Sequence, residues 1–384
     1  MNKIAIYIPN DFPNGEKNNA RLKAIGENLT NHEWDITYIS LMPTRFAENE
    51  KEPQPKSWQK QPVKHILNWS TYPSSFGIRV FQIIACQFAF LLFILRHGRS
   101  FDVSYFYTPQ WIGTMLGLLL CKAMGLVTVV DQTDLHSTFR NRFMHKTEER
   151  LVSNVPTLLL AISSFLSFHF KGLKGKAPIE EFSILVNMER FVVSYQSQKY
   201  LLGYIGSFAE KDGIEMLLHA ISIAKESIPE IKVRLIGNDP FLEKTKEWIS
   251  TLELDSNIDL VGSVSYDEIP KLLKECDSLI MNRVSTKFAE TGYPIKLGEY
   301  FACNRPVLMS NGPGFSEDYT HLKEAIKYEV DDAQSLADAI IWRYENPMIA
   351  NKIAQNGYKF AKENFDAEKN VKWLSNKLIE LCEK

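Results

Sequence analysis

Short runs rich in Val, Ile and Leu alternate with longer stretches of helical periodicity along almost the whole of this 384-residue chain. A strand covered on both faces reads as a continuous apolar run, and such strands are parallel and joined by crossover helices. In the first half the strand candidates are residues 4–8, 35–39, 103–107, 127–130, 158–162 and 183–186. In the second they are 201–205, 233–236, 258–261, 278–281, 307–309 and 325–328, with helices predicted at 213–227, 241–252, 267–275 and 333–344. Two sets of about six strands predict an α/β protein with two doubly wound domains. The length agrees, since one core of ordinary size does not accommodate 384 residues. The expected division is residues 1–195, then 196–365, with a closing segment 366–384 that forms a helix packing back toward the first domain.

Two segments escape the rhythm. Residues 43–75 hold five prolines among many Lys, Gln and Glu and predict a long loop. Residues 76–99 are the most apolar of the chain, with only Gln82 and Gln87 interrupting the run between Arg79 and Arg96. That run falls short of the roughly twenty apolar residues that a bilayer crossing needs. A core helix is one reading. A helix lying on an anionic membrane surface, steered by Arg79, Arg96, His97 and Arg99, is the other.

The net charge of -2 conceals an asymmetry. Up to Tyr195 there are 21 Lys and Arg against 16 Asp and Glu, and after it 23 against 30. The basic half thus also holds the apolar helix. Near-neutral overall charge without an aromatic-basic repeat argues against nucleic acid as partner. The five cysteines, Cys86, Cys121, Cys276, Cys303 and Cys382, show no paired spacing, which fits reduced thiols in the cytoplasm. The N-terminal MNKIAIYIPNDF enters a strand-like run without the pattern of a secretory signal.

The richest stretch for chemistry is FAETGYPIKLGEYFACNRPVL, residues 288–308. It sets Glu290 in a loop, Pro294 as a first helical residue, then Lys296 and Glu299 three apart on one helical face. A cation and an acceptor beside a helix N-terminus suit a phosphorylated, hydroxyl-rich ligand, and a solvated ion pair is the plainer alternative. A second stretch, LLGYIGSFAEKDGIEMLLHAI at 201–221, runs a strand into Gly206 and places Lys211 just before a helix start, where a diphosphate would be held. A simple strand-to-helix turn is the alternative there.

In order, YIGSFAEKDG, the strand VRLIGN, SYDEIPKLLKECDSLIM and GYPIKLGEYFACNRPVL resemble the C-terminal domain of glycosyltransferase family 4, retaining enzymes of the GT-B fold. In the first half, PNGEKNNARLKAIGENLTNHEWDITYIS, AISSFLSFHFK and VNMERF resemble its landmarks more loosely. The resemblance implies two Rossmann-like domains facing a central cleft, with Lys211 gripping the donor diphosphate and Glu299 binding the ribose. Two glutamates eight positions apart would put the first at Thr291, one residue from Glu290. A variant pattern, Pro-x-Lys-x-x-Glu-Tyr, fits Pro294, Lys296, Glu299 and Tyr300 directly. Ser207 stands where the family has an Arg, so its phosphate role passes to Arg283 or Lys296. In DQTDLH, Thr133 occupies the position of a family His, Asp134 matches the Asp, and His136 is a candidate to compensate.

The resemblance therefore implies Lys211, Glu299, Glu290 and Asp134 as the catalytic set. It implies Lys211, Lys296, Glu299, Arg283, Gly206 and Gly15 around the donor, and Asn14, Lys17 and His136 on the acceptor side. It implies a hexosyl transfer from a nucleotide-sugar that needs neither metal nor resident cofactor. The expected acceptor is a saccharide or polyprenyl-linked glycolipid of bacterial surface polysaccharide synthesis, met in the cytoplasm at the inner membrane face. Another GT-B enzyme, such as a nucleotide-sugar epimerase or a phosphorylase, and a non-catalytic sugar-nucleotide binder are the competing readings.

Overall fold

The computed structural model describes residues 1–9, 12–13, 16–41, 56–58, 60–67, 75–109, 112–135, 142–192, 198–208, 212–237, 242–285, 293–312 and 314–384. The chain divides into two units, Met1–Leu185 with Ala367–Lys384, and Val186–Asp366.

Unit 1 is built on an eight-stranded sheet in the order β3-β4-β2-β1-β5-β6-β7-β8. The strands are β1 Asn2–Ile8, β2 Trp34–Ser40, β3 Ser57–Trp58, β4 Gln61–His65, β5 Val103–Tyr107, β6 Val127–Gln132, β7 Leu158–Ala161 and β8 Ile179–Glu181. All neighbours are parallel except β3 and β4. Its helices are α1 Glu16–Asn31, α2 Phe76–His97, α3 Ile112–Ala123, α4 Arg142–Asn154 and α5 Ser164–Gly172. β5 is buried end to end and β1 from Ile4 to Ile8, because helices cover them, which is why these stretches are apolar runs.

Unit 2 holds six parallel strands in the order β11-β10-β9-β12-β13-β14. These are β9 Gln198–Ile205, β10 Lys232–Ile236, β11 Ile258–Gly262, β12 Cys276–Met281, β13 Val307–Ser310 and β14 Ile326–Tyr328. Its helices are α6 Ile214–Ser227, α7 Leu242–Thr251, α8 Ile269–Glu275, α9 Ile295–Ala302, α10 Ala333–Glu345 and α11 Pro347–Asn364. Leu217, Leu218 and Ile221 of α6 join Leu336 and Ile340 of α10 in one core over the sheet. The final helix α12, Ala367–Cys382, belongs to unit 1, where Val371 and Leu374 enter the core and Ser375 accepts from the Trp34 indole at 2.9 Å.

Several expectations are corrected. The predicted strand at 183–186 is absent, and the edge strand is β8, a few residues earlier. Residues 43–75 are not one loop: β3 and β4 lie within them, β4 pairing with β2, and the rest of that segment is largely outside the described residues. The division falls between Leu185 and Val186 rather than at 195, because Val186 donates to the Phe365 carbonyl at 2.8 Å and joins unit 2. The core reading of residues 76–99 fails as well. Only Cys86, Phe90 and Ile94 of α2 are buried, whereas Phe81, Ile84 and Phe88 are each more than 60% exposed.

Candidate functional site

In unit 2 the chain builds β9, β10 and β11 outward on one side, then returns to place β12 beside β9. The crevice at the carboxyl ends of β9 and β12 is thus the point where the strand order reverses, the place where open α/β sheets bind ligands. Gly206 follows β9, and its N–H donates to the Ile236 carbonyl at 3.0 Å. A β-carbon there would lie 2.1 Å from the Tyr204 hydroxyl oxygen and 3.0 Å from the Lys296 ammonium, so glycine is what lets Lys296 come close to this turn.

Lys296 is the second residue of α9. The helix begins at Ile295, with Pro294 as its extended N-cap, one position later than expected. Tyr300 fastens α9 to the crevice by accepting from the Ile205 N–H at 2.8 Å. The Lys296 ammonium donates to Asp212 and to the Tyr204 hydroxyl, each at 3.1 Å. Asp212 also accepts from the Ser207 hydroxyl at 3.0 Å. Its backbone is pinned by Asn282, whose amide donates to the carbonyls of Asp212 and Gly213 at 2.9 and 2.8 Å while its oxygen accepts from Tyr328. Gly213 takes the left-handed conformation, φ 57°, that turns the chain into α6.

Arg283, just past β12, is 6% exposed. Burial lowers its pKa to about 10, against which Asp212 works first and Tyr204 second. Burial likewise pulls the Lys296 ammonium below the usual lysine range, with Asp212 opposing. Among the described residues two largely desolvated cations thus feel one carboxylate, Lys296 through a hydrogen bond and Arg283 through the field of Asp212.

Glu299 lies one turn further along α9 and faces elsewhere. It is 9% exposed, and Arg190 Nη1 stands 3.7 Å from its carboxylate. The Arg190 guanidinium lies 3.6 Å from the centroid of the Tyr266 ring and donates to the Tyr266 carbonyl. Burial raises the Glu299 pKa, while Arg190 and a hydrogen bond from Tyr266 pull it back. Lys296 and Glu299 therefore serve different partners and do not pair with each other, which removes the plain ion-pair alternative. Arg190 is placed by a 3₁₀ turn, Met188–Phe191, whose N-cap Asn187 accepts from Glu189 N at 3.1 Å. Arg190, Tyr266, Tyr204 and Asp212 were all missed as site residues. Arg190 sits within VNMERF, singled out only as a landmark, and nothing local signals that Tyr266 meets Glu299.

The other expected residues are less accessible to description. Lys211, Glu290, Gly15, Asn14 and His136 lie outside the described residues, and Lys17 falls in the first turn of α1. Asp134 follows β6, where its carbonyl accepts from Gln132 at 2.8 Å and Thr133 meets Thr108 at the same distance. Just below, Arg21 grips Asp131 through two bonds of 2.9 Å, donates to the carbonyls of Phe182 and Ser183, and shares Asp131 with the Tyr105 hydroxyl at 2.7 Å.

Residues 187–360 match the family model described as glycosyl transferases group 1. The matched domain makes up most of unit 2. Known proteins extend the likeness beyond that domain. An uncharacterized glycosyltransferase of Methanocaldococcus jannaschii is 24% identical over 215 residues, 56% of this chain and 56% of its own, so the match spans little more than half of that relative. The chitobiosyldiphosphodolichol beta-mannosyltransferase of Debaryomyces hansenii is 23% identical over 362 residues, 82% of this chain and 74% of its own. The crystal structure of Anabaena HepE in complex with UDP-glucose superposes with a TM-score of 0.73 at 15% identity, covering 98% of this chain and 99% of that one. The fold is GT-B, with two Rossmann-like sheets, as the resemblance implied.

Proposed function

We propose that this protein is a retaining, metal-independent glycosyltransferase that moves a sugar, most simply a hexose, from a nucleotide-sugar to a lipid-linked saccharide. The observation that carries the reading is the pair of largely buried cations at the switch point of unit 2, Lys296 bonded to Asp212 and Arg283 just past β12. In the reaction the bond from the sugar C1 to the diphosphate oxygen breaks while one from C1 to the acceptor oxygen forms, and the acceptor proton passes to the departing phosphate. Negative charge grows on that diphosphate. Fixed cations aimed at it supply the stabilisation that is the largest single contribution in many enzymes. Lys211, three residues before α6 in sequence, adds to them, and Glu299 accepts the ribose hydroxyls as a carboxylate. Glu290 and Asp134 act on the sugar and the acceptor, with Gly15 near the donor phosphates. Asn14, Lys17 and His136 serve the acceptor.

A nucleotide-sugar donor is supported by the UDP-glucose held in the Anabaena structure. A lipid-diphosphate-linked acceptor is supported by the substrate in the name of the Debaryomyces relative and by the basic first half of the chain. We place the reaction in the cytoplasm, at the inner face of the membrane, in the assembly of a bacterial surface polysaccharide.

The test is incubation with UDP-, GDP-, ADP- and CMP-sugars and a polyprenyl-diphosphate saccharide, with the product read by NMR. The expected result is nucleotide release that requires the acceptor, together with a glycoside of the donor's anomeric configuration. Release without acceptor and without glycoside, as from an epimerase, overturns the reading.

A further inference from the structure

Helices α2 and α3 are amphipathic in the inverse of the usual sense: their solvent-facing stripes are apolar. Along α2 the exposed positions Phe81, Ile84, Phe88 and Leu95 recur at helical spacing, and Phe76 and Ile78 extend them toward the N-terminus. Along α3 the exposed stripe is Ile112, Leu116 and Leu119. The two helices pack on each other at small residues. A β-carbon on Gly113 would lie 2.1 Å from the Gln87 side chain, and one on Gly117 would lie 2.5 Å from Phe90. Two glycines four apart thus bring the axes close, and the two outer stripes become neighbours on one surface. An exposed apolar patch of this kind on a soluble fold marks an interaction site.

Charge decides the occupant. Neither helix contains an Asp or a Glu, and the exposed cations Arg96, Arg99 and Lys122 cluster at their C-terminal ends. A symmetric dimer through this face would set the same cations against one another, whereas an anionic surface neutralises them. The inner stripe decides the depth. Phe90 stacks edge-on to Tyr7 at 5.2 Å and meets Phe106 at 6.5 Å, so α2 is a layer of the unit 1 sandwich and would have to strip β1 and β5 to cross a bilayer. We propose that α2 and α3 together form a monotopic membrane seat, lying in the plane of an anionic leaflet with their outer stripes at the level of the acyl chains. The proposal deepens the lipid-linked acceptor reading by naming the surface that meets the bilayer, and it stands or falls independently of donor chemistry.

The test is co-sedimentation with vesicles of phosphatidylcholine alone and of phosphatidylcholine with phosphatidylglycerol at 7:3, run beside calorimetric donor binding as a check of folding. Wild type should bind the anionic vesicles, and neutralising Arg96, Arg99 and Lys122 should weaken partition by roughly fivefold per charge. Phe88→Glu and Leu116→Glu change exposed positions, so each should keep donor binding and lose at least about tenfold in vesicle binding. Vesicle binding retained by Leu116→Glu removes α3 from the seat and overturns the two-helix proposal. A wild type that ignores both vesicles, or that sediments as a dimer which Phe88→Glu dissolves, overturns it altogether. Donor binding intact in those cases leaves the glycosyl-transfer reading standing.

Discussion

Each unit buries a cation against an aspartate near the carboxyl ends of its strands, and the two clusters are settled differently. In unit 1, Arg21 and Asp131 match charge for charge. Asp131 receives two guanidinium bonds and a tyrosine hydroxyl, and the remaining Arg21 donors reach backbone carbonyls. Burial works against the Arg21 charge, yet Asp131 more than offsets it and the guanidinium ends above its ordinary pKa. In unit 2, Lys296 bonds Asp212 and Arg283 lies within the field of the same carboxylate, and both cations end below their ordinary values. A closed pair holds a fold together. Cations held below their ordinary pKa are what an arriving diphosphate stabilises.

The difference is open to direct attack. Arg21→Leu leaves Asp131 buried without its cation and should cost about 3–5 kcal/mol of stability. Denaturant unfolding should show that as a lowered midpoint, with donor affinity per folded molecule unchanged. A midpoint within about 1 kcal/mol of wild type would mean that the cluster is not structural.

Glu299 gives the next, smaller effect. Its raised pKa means that the carboxylate takes up a proton at a higher pH than an ordinary Glu near 4.5, and protonation removes the charge that receives the ribose hydroxyls. Donor affinity should therefore fall on acidification while an ordinary carboxylate is still ionised. Glu299→Gln should weaken donor binding by about 1–1.5 kcal/mol at pH 8, roughly tenfold, and flatten the pH profile. A variant whose affinity still falls over the same pH range would assign that titration to another group.

How much of this was legible in the sequence follows from what each signal depends on. Strands such as β1, β5, β9 and β12 are covered on both faces, so burial wrote itself into their composition. The edge strands β3 and β8, and β4 next to β3, are short and half-solvated, and β4 even contains Pro62; no apolar run marks them. Helix α2 is apolar on both its inner and outer faces, so composition alone left open which way its side chains point. At the site, the spacing of Lys296, Glu299 and Tyr300 exposed the helix, because i and i+3 relations are local. The partners of that helix were hidden. Arg190 meets Glu299 across 109 positions and Asp212 meets Lys296 across 84, and only the folding of unit 2 creates those pairs.

The central claim is that Lys296 and Arg283 receive a diphosphate. Calorimetric titration of wild type and Lys296→Met with a nucleoside diphosphate and with the bare nucleoside tests it most directly. Two charge-assisted contacts predict a wild-type preference for the diphosphate of roughly a hundredfold or more, reduced by about thirtyfold in the variant, about 2 kcal/mol, while nucleoside affinity stays constant. A variant that keeps the full preference, or that loses nucleoside and diphosphate equally, would contradict the account.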